Sequence, residues 1–166
     1  MNVSPVQFGV DSFHDNLIEA LEISALEAKY VCLEVTENLF LENIQEISTK
    51  LARLQSYGFS IALDDFGTGY SSLKYLKVLP INKLKLDRIF VQELPHSKND
   101  VAITQSVLAL GQNFNVQVIV EGVETKEQCT FLEENGCQFI QGYLISKPMS
   151  EENVLSFLTK EAEKTL

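Results

Sequence analysis

The sequence predicts an α/β fold of the (β/α)8-barrel type, incomplete, with about six parallel strands and helices on the outside. The first observation is strict alternation, because apolar strand-like runs and helix-periodic segments follow one another along the whole chain. The second is that a polar or acidic residue ends nearly every strand-like run, and parallel barrels gather such residues at one mouth. The third is length, since six units of about 28 residues account for all 166 residues, whereas eight units take about 250.

The elements alternate from the first residue to the last helix. Apolar runs predict strands near residues 1–4, 30–35, 59–63, 83–87, 116–120 and 138–141. Apolar residues at helical spacing predict helices near 12–27, 40–57, 70–78, 99–114, 125–135 and 150–163. Because the chain begins directly on a strand, we expect the two remaining units upstream of residue 1. A gap between the first and last strands is therefore predicted, with two open sheet edges.

Local signals support these boundaries. The first helix repeats apolar residues at helical spacing, as at Leu17 and Leu21, and the second helix does the same. Gly58 and Gly136 fall where helices are expected to end, since glycine readily takes the left-handed conformation. Pro148 marks the break before the last helix, whose first turn is acidic, as its positive N-terminal end favours.

Residues 63–73 are the most informative stretch, because Asp64 and Asp65 end an apolar run and a glycine-punctuated turn follows at once. Two adjacent carboxylates at the end of a buried strand repel each other and resist desolvation, so a positive charge is expected between them. A divalent cation fits, because hard cations take carboxylate oxygens as ligands. The alternative is that the pair caps the helix predicted near 70–78. This stretch alone does not separate the two interpretations, but the acids and amides that end the other strands favour a metal.

Composition predicts one globular domain over residues 1–166 and excludes several functions. A formal net charge of −10 argues against a DNA or RNA surface, because a polyanion would be repelled. We expect no membrane segment, since no apolar run approaches the roughly 18 residues that a span needs. Three cysteines without close spacing, Cys32, Cys129 and Cys137, are predicted to be reduced thiols, which favours a cytoplasmic location.

Six segments of the chain resemble the EAL domain family, the bacterial cyclic di-GMP phosphodiesterases. They occur in the family's order, two of them are long, and together they span nearly the whole chain. The segments are Asn2–Ser4, Leu33–Glu37, Asp64–Leu73, Lys85–Asp87, Glu121–Thr125 and Gln141–Pro148. The resemblance implies a (β/α)8 barrel, of which this chain carries the last six units.

The resemblance also implies a two-ion site for Mg2+ or Mn2+. The implied ligands of the first ion are Asn2, Glu34, Asp64 and Glu121, and Asp64 and Asp65 are implied to hold the second. Two such ions can generate hydroxide, neutralise a phosphodiester and stabilise the leaving oxygen. The implied reaction is hydrolysis of cyclic di-GMP to the linear dinucleotide.

The remaining site residues are implied by the same matches. Lys85 matches a lysine that positions the attacking water, Glu37 a carboxylate that braces the loop after the acid pair, and Glu124 a second supporting acid. The implied substrate-binding residues are Gln141, Tyr143 and Pro148.

The chain departs from the family at its beginning. The name-giving Glu-Ala-Leu motif, which supplies a metal ligand, belongs to an early strand that we expect to be missing here. The tripeptide at Glu19–Leu21 is a chance match, because it lies in a helical pattern after the Asn2 segment rather than before it. We therefore expect this chain alone to be weakly active or inactive. The alternatives are an inactive module that binds cyclic di-GMP or a protein, and a non-functional gene fragment.

Partners follow from the same interpretation. Cyclic di-GMP is the expected ligand, and a sensory or GGDEF domain is expected upstream in a full-length protein. A second copy of the chain could fill the gap in the sheet and give a homodimer.

Overall fold

Six parallel strands form one sheet in which the order along the chain is also the order in space. The structure is a computed structural model that describes residues 1–40, 43–68 and 73–164. Every neighbouring pair of strands is parallel. The strands are β1 (Asn2–Val3), β2 (Cys32–Thr36), β3 (Ser60–Phe66), β4 (Lys83–Leu86), β5 (Gln117–Glu121) and β6 (Phe139–Gln141).

Helices connect the strands, as right-handed parallel crossovers require. The α-helices are α1 (Pro5–Phe8), α2 (Phe13–Ser24), α3 (Ile44–Ser56), α4 (Leu73–Val78), α5 (Lys98–Phe114), α6 (Lys126–Glu134) and α7 (Glu151–Lys164). Short 3-10 helices cover Ala28–Tyr30, Glu37–Phe40 and Arg88–Phe90. Within the described ranges, no helix is long and apolar enough to cross a membrane.

The core is built from alternate residues of the strands. One face of the sheet carries fully buried aliphatic side chains, and helices α3 and α6 add three more. These residues are Leu33, Val35, Ile61, Leu63, Leu84, Leu86 and Val120 from the strands, and Leu51, Leu54 and Leu132 from the helices. The other face of the sheet is therefore free to carry polar residues.

The sheet is open, with β1 at one edge and β6 at the other. A closed barrel of this class has eight strands, and the described residues form six. The predicted fold class, an incomplete barrel of six parallel strands with helices, is confirmed.

Strand β3 is longer than predicted. The prediction ended it near residue 63, because charged residues rarely continue a buried strand. The structure continues the strand through Asp64 and Asp65 to Phe66, whose ring is buried. Asp64 and Asp65 lie inside β3, and the two residues that follow Phe66 are not helical, so the alternative that the acid pair caps the next helix is wrong. The predicted start of that helix at residue 70 lies outside the described residues.

The second predicted helix, over 40–57, begins later than expected. Glu37–Phe40 forms a 3-10 helix, and α3 begins only at Ile44. The side chain of Asn43 accepts a hydrogen bond from the backbone N–H of Glu46, so Asn43 is the N-cap that sets the start of α3. The apolar pattern alone does not reveal this cap, because Phe40 is buried and continues the periodicity.

The ends of β5 and β6 are joined by backbone contacts. The N–H of Val123 donates to the carbonyl of Gln141, and the N–H of Leu144 donates to the carbonyl of Val123. This close approach leaves no room for a side chain at Gly142, because an added Cβ would overlap the carbonyl oxygen and the amide nitrogen of Val123. Gly142 therefore fixes the position of the end of β6.

We expect Gly142→Ala to destabilise the fold by about 1–3 kcal/mol or more, because the overlapping atoms belong to backbone that cannot move aside cheaply. Urea denaturation followed by circular dichroism measures the change in the free energy of unfolding. Gly9→Ala is the matched control, since a Cβ there would lie 3.4 Å from the carbonyl oxygen of Pro5, an ordinary contact. Equal stabilities of the two variants would contradict the close-approach argument.

Candidate metal centre

The strand register places the sequence-predicted polar residues on one face of the sheet. Paired residues of neighbouring parallel strands point the same way, and residues two apart on a strand share a face. Asn2 pairs with Glu34, and Glu121 pairs with Gln141. Lys85 pairs with the residue two positions before Glu121. The face opposite the apolar core therefore carries Asn2, Glu34, Asp64, Lys85, Glu121 and Gln141.

A β-bulge positions the two adjacent acids. The register of β3 against β4 shifts between Leu63 and Phe66, so Asp64 and Asp65 together oppose the single residue Lys85. Asp65 has a φ of 54°, in the left-handed region that aspartate tolerates better than most residues. The bulge lets both carboxylates approach the same end of the sheet, which regular pairing would prevent by turning them to opposite faces.

Lys85 lies at the centre of three carboxylates from three different strands. Its Nζ donates to Glu34 Oε2 at 2.8 Å, to Asp64 Oδ1 at 2.8 Å and to Glu121 Oε1 at 2.9 Å. Only 6% of Lys85 is exposed. Burial lowers the pKa of this ammonium, but the hydrogen bonds to the three carboxylates outweigh burial and raise the pKa above its ordinary value. Lys85 is therefore a permanent cation and a hydrogen-bond donor.

The surroundings of two of the acids, Glu121 and Asp65, disfavour the ionised carboxylate and raise its pKa. Burial raises the pKa of Glu121, Lys85 partly offsets this, and the charges of Asp64 and Glu34 raise it further. Burial also raises the pKa of Asp65, and the neighbouring charge of Asp64 adds to the increase. Both shifts indicate that the negative charge at this end of the sheet exceeds what one ammonium balances.

The donor set fits a divalent cation. Asp64, Asp65 and Glu121 each offer a carboxylate oxygen, and these three oxygens lie within 4.8 Å of one another. With Glu34, four carboxylates face one ammonium, so a second cation would relieve the excess charge. Carboxylate oxygens are the ligands that Mg2+, Mn2+ and Ca2+ take in proteins. The geometry thus brings together four of the five predicted metal ligands.

Asn2, the fifth predicted ligand, lies at the sheet edge beside Glu34. Besides the strand pairing, Met1 ties the start of β1 to β2: the Glu34 N–H donates to the Met1 carbonyl, and the Met1 ammonium donates to the Cys32 carbonyl. The Asn2 side chain is exposed. Its role as a ligand stays a prediction.

Glu37 contacts the segment that follows the acid pair. It is 7% exposed, and its Oε1 accepts a hydrogen bond from the backbone N–H of Gly67 at 3.2 Å. Gly67 has a φ of 97°, and a Cβ there would lie 2.6 Å from the ring of Phe90. The hydrogen bond joins Glu37 to the segment after the acid pair, and the role of Glu37 in the site stays a prediction.

The other predicted residues are more exposed. The Glu124 side chain makes no hydrogen bond or ion pair with any described residue, so the structure does not join it to the acid cluster. Gln141 ends β6 on the polar face. Tyr143 is 58% exposed, and the ammonium of Lys147 lies 5.5 Å from the centre of its ring. Tyr143, Gln141 and Pro148 line a groove of about 450 Å³ between the end of β6 and α7.

Sequence reasoning assigned no role to Asp87. Its side chain lies near that of Asp65 and accepts a hydrogen bond from the backbone N–H of Ile89 at 2.8 Å. Its negative charge also contributes to the raised pKa of Asp65. Its position two residues after Lys85, just beyond the end of β4, is the signal that could have found it.

The Glu19–Leu21 tripeptide lies within helix α2, and Glu19 is exposed. The prediction that this segment is helical is confirmed.

Comparison with known proteins identifies close relatives of the chain. The model of the EAL domain family matches residues 1–148. Cyclic di-GMP phosphodiesterase NbdA of Pseudomonas aeruginosa is 42% identical over 158 residues, which are 95% of this chain and 20% of that protein. The bifunctional diguanylate cyclase/cyclic di-GMP phosphodiesterase MucR of the same species is 42% identical over 156 residues, or 94% of this chain and 23% of that protein.

Solved structures of the same kind superpose on the chain. The MucR phosphodiesterase in complex with cyclic di-GMP has a TM-score of 0.87 at 42% identity, over 92% of this chain and 62% of that one. The EAL domain of Mycobacterium smegmatis DcpA has a TM-score of 0.91 at 41% identity, over 96% of this chain and 71% of that one. Klebsiella pneumoniae BlrP1, in a manganese and cyclic di-GMP complex, has a TM-score of 0.82 at 31% identity. The match covers 89% of this chain and 38% of that one.

The chain is shorter than all of these relatives. It spans about a fifth of the length of the curated proteins it matches and about two thirds of the solved MucR and DcpA chains.

We expect the double variant Asp64→Asn, Glu121→Gln to bind Mn2+ at least about tenfold more weakly than the parent, because two of the carboxylate ligands lose their charge. Isothermal titration calorimetry measures the affinity. The matched control is Asp15→Asn, Glu19→Gln, which makes the same chemical changes on the exposed face of α2. Unchanged Mn2+ affinity in the site variant would refute the proposed centre.

We expect Lys85→Met to lower the free energy of unfolding by about 3 kcal/mol at pH 7, because it leaves three carboxylates close together without their cation. The loss should shrink towards about pH 4, where carboxylates take up protons. Lys83→Met, two residues earlier on β4, is the control, since Lys83 makes no ion pair with a described residue. Chemical denaturation at both pH values tests this, and equal losses in the two variants would contradict it.

Proposed function

The chain belongs to the EAL domain family, and on that premise we propose that its residues form the larger part of a cyclic di-GMP phosphodiesterase domain. The proposed reaction is metal-assisted hydrolysis of one phosphodiester bond of cyclic di-GMP, giving the linear dinucleotide. The observation that carries the proposal is the cluster of Glu34, Asp64, Asp65 and Glu121 around Lys85 at the carboxyl ends of four neighbouring strands. In β/α barrels this is the end that carries the active site.

The proposed metal ligands are the four clustered acids together with Asn2. Mg2+ or Mn2+ bound there would activate water and neutralise the charge of the phosphodiester. The acidic cluster by itself would repel a dianionic substrate, so substrate binding depends on the cation. Manganese in the BlrP1 complex supports this choice of metal.

Lys85 is proposed to orient the attacking water rather than to remove its proton. A general base must lose its own proton near neutral pH, and the raised pKa of Lys85 keeps it protonated. As a donor, its Nζ can hold a water or an anionic oxygen in place beside the acids. Its three hydrogen bonds to carboxylates fix its position before substrate arrives.

Three further residues are proposed to act around this centre. Glu37 positions the segment after β3 through its hydrogen bond to Gly67. Gln141 and Tyr143 are proposed to border the substrate, where the exposed ring of Tyr143 offers a face on which a guanine base can stack. Pro148 belongs to the same groove. Glu124 is proposed as a supporting acid of the same centre.

The 166-residue chain by itself is proposed to be a poor catalyst, because six strands do not close the barrel wall around the substrate. In a longer protein we propose a sensory or GGDEF domain as its neighbour, as the bifunctional name of MucR suggests. A cytoplasmic location is part of the same proposal, since cyclic di-GMP is an internal messenger of the family. The competing proposal is that the completed domain binds cyclic di-GMP but does not hydrolyse it.

We expect a chimera to restore hydrolysis. It joins residues 1–166 to the segment of the MucR EAL domain that precedes the part matching this chain. With Mn2+, the chimera should convert cyclic di-GMP to the linear dinucleotide, and the rate should fall at least about hundredfold in Glu34→Ala, because a displaced ligand misplaces the reacting groups. Chromatographic separation of the two nucleotides measures the rate.

Controls separate the outcomes of this experiment. Glu19→Ala in the chimera removes an exposed acid of α2 and should leave the rate unchanged. A folded chimera that binds cyclic di-GMP without hydrolysing it would refute the phosphodiesterase and favour an inactive receptor. Full activity of the 166-residue chain alone would refute the proposed impairment.

A further inference from the structure

Two neighbouring loops at the polar end of the sheet start directly beside acids of the cluster. The loop after β4 begins with Asp87 and continues through the 3-10 helix Arg88–Phe90 to Gln92. The loop after β5 begins with Gly122, next to the proposed ligand Glu121, and ends where α6 starts. Because these loops lie beyond the strand pairing, contacts other than the strand ladder must set the distance between them.

The side chain of Gln128, in the first turn of α6, joins the two loops. Its Nε2 donates to the carbonyl of Val91 at 3.0 Å and to that of Gln92 at 3.4 Å, in the loop after β4. Its Oε1 accepts from the backbone N–H of Glu124 at 2.8 Å and from that of Thr125 at 3.0 Å, in the loop after β5. Gln128 is 5% exposed. Both donors and both acceptor positions of this buried amide are therefore used.

The two loops also touch close to the acids. Gly122 has a φ of 71°, and an added Cβ there would overlap the Cβ of Arg88. Since Arg88 follows Asp87 and Gly122 follows Glu121, the loops meet one residue beyond each acid. Gln128 holds the same two loops together a few residues further on. Contacts at two points thus fix how one loop lies against the other.

Helix capping alone does not explain these contacts of Gln128. A glutamine at the third helical position closes a capping box when its oxygen accepts the backbone N–H of the cap residue, and both α6 and α1 have such a box. In α1 the glutamine is Gln7, which is exposed, and its amide nitrogen donates to no carbonyl within residues 1–40, 43–68 and 73–164. A cap therefore needs only the side-chain oxygen. The nitrogen of Gln128 holds the neighbouring loop, which capping does not require.

We infer that Gln128 is a positioning residue of the acid cluster. By holding the loop after β4 against the loop after β5, it sets where Asp87 lies relative to Glu121. Asp87 acts on the cluster because its charge is felt by Asp65, one of the three carboxylates that lie within 4.8 Å of one another. Gln128 works through the backbone of the two loops and is not a ligand. The inference rests on the proposed function for the identity of the cluster as a metal centre.

Gln128→Glu separates the two roles of the side chain. A glutamate keeps an oxygen for the N–H groups of the β5 loop, so the cap of α6 remains, but it has no donor for the carbonyls of Val91 and Gln92. We expect the variant to bind Mn2+ at least about tenfold more weakly than the parent, as is typical when a residue behind the metal ligands is changed. Isothermal titration calorimetry of the 166-residue chain measures the affinity. The added negative charge alone would favour a cation, so charge does not explain a loss.

Two further measurements distinguish positioning from a change in stability. Hydrogen exchange followed by mass spectrometry should be faster over residues 87–97 of the variant, where the loop loses its hydrogen bonds to Gln128. The electron paramagnetic resonance spectrum of bound Mn2+ should change, because it reports the symmetry of the ligands. Gln128→Met, which removes the amide without adding a charge, should weaken Mn2+ binding similarly. Gln7→Glu makes the matched substitution in the capping box of α1 and should leave all three measurements unchanged.

The outcomes separate this inference from the proposed function. Unchanged Mn2+ affinity and an unchanged resonance spectrum in folded Gln128→Glu and Gln128→Met would overturn it, even if both variants were less stable. An equal loss of affinity in Gln7→Glu would overturn it too. A parent that binds no Mn2+ would refute the metal centre and the inference together. Weakened Mn2+ binding in the two Gln128 variants, with no hydrolysis by the chimera, would support the positioning role and refute the phosphodiesterase.

Discussion

The ammonium of Lys85 is the interaction on which the polar end of the sheet depends. It joins β4 to Glu34 of β2, Asp64 of β3 and Glu121 of β5 through hydrogen bonds of 2.8–2.9 Å. Without a cation there, the three carboxylates could not lie so close together, because each is largely removed from water. One side chain thus fixes the distances among acids that are 30 to 87 positions apart in the sequence.

Other local features keep the acid cluster in place at some cost to the backbone. The bulge in β3 requires a left-handed aspartate at Asp65, and the turn after it requires a glycine at Gly67. The hydrogen bond from Gly67 to Glu37 holds that turn against the 3-10 helix that follows β2. Strained backbone of this kind is characteristic of functional sites, where geometry matters more than stability. The raised pKa values of Asp65 and Glu121 belong to the same pattern.

The open sheet and the acid cluster are related through the order of the strands. The cluster lies on β2 to β5, which have neighbours on both sides, so its geometry survives in an incomplete barrel. Asn2 and Gln141, in contrast, lie on the edge strands β1 and β6 and border the gap. Closure of the barrel would therefore alter the surroundings of these two residues more than those of Lys85. The charged centre around Lys85 is thus already formed in six strands. The surface around Asn2 and Gln141, in contrast, is completed only when further strands lie beside β1 and β6.

The sequence by itself determined the six strands, their alternation with helices and the acids at the strand ends, because these are patterns of local periodicity. Tertiary structure alone decided that Asp64 and Asp65 oppose Lys85, since a bulge depends on how two distant strands pair. The predicted end of β3 near residue 63 and the capping alternative for the acid pair were wrong for that reason. The partners of Lys85 and the approach of Gly142 to Val123 were likewise not predictable, because they are contacts between segments whose separation only the folded chain defines.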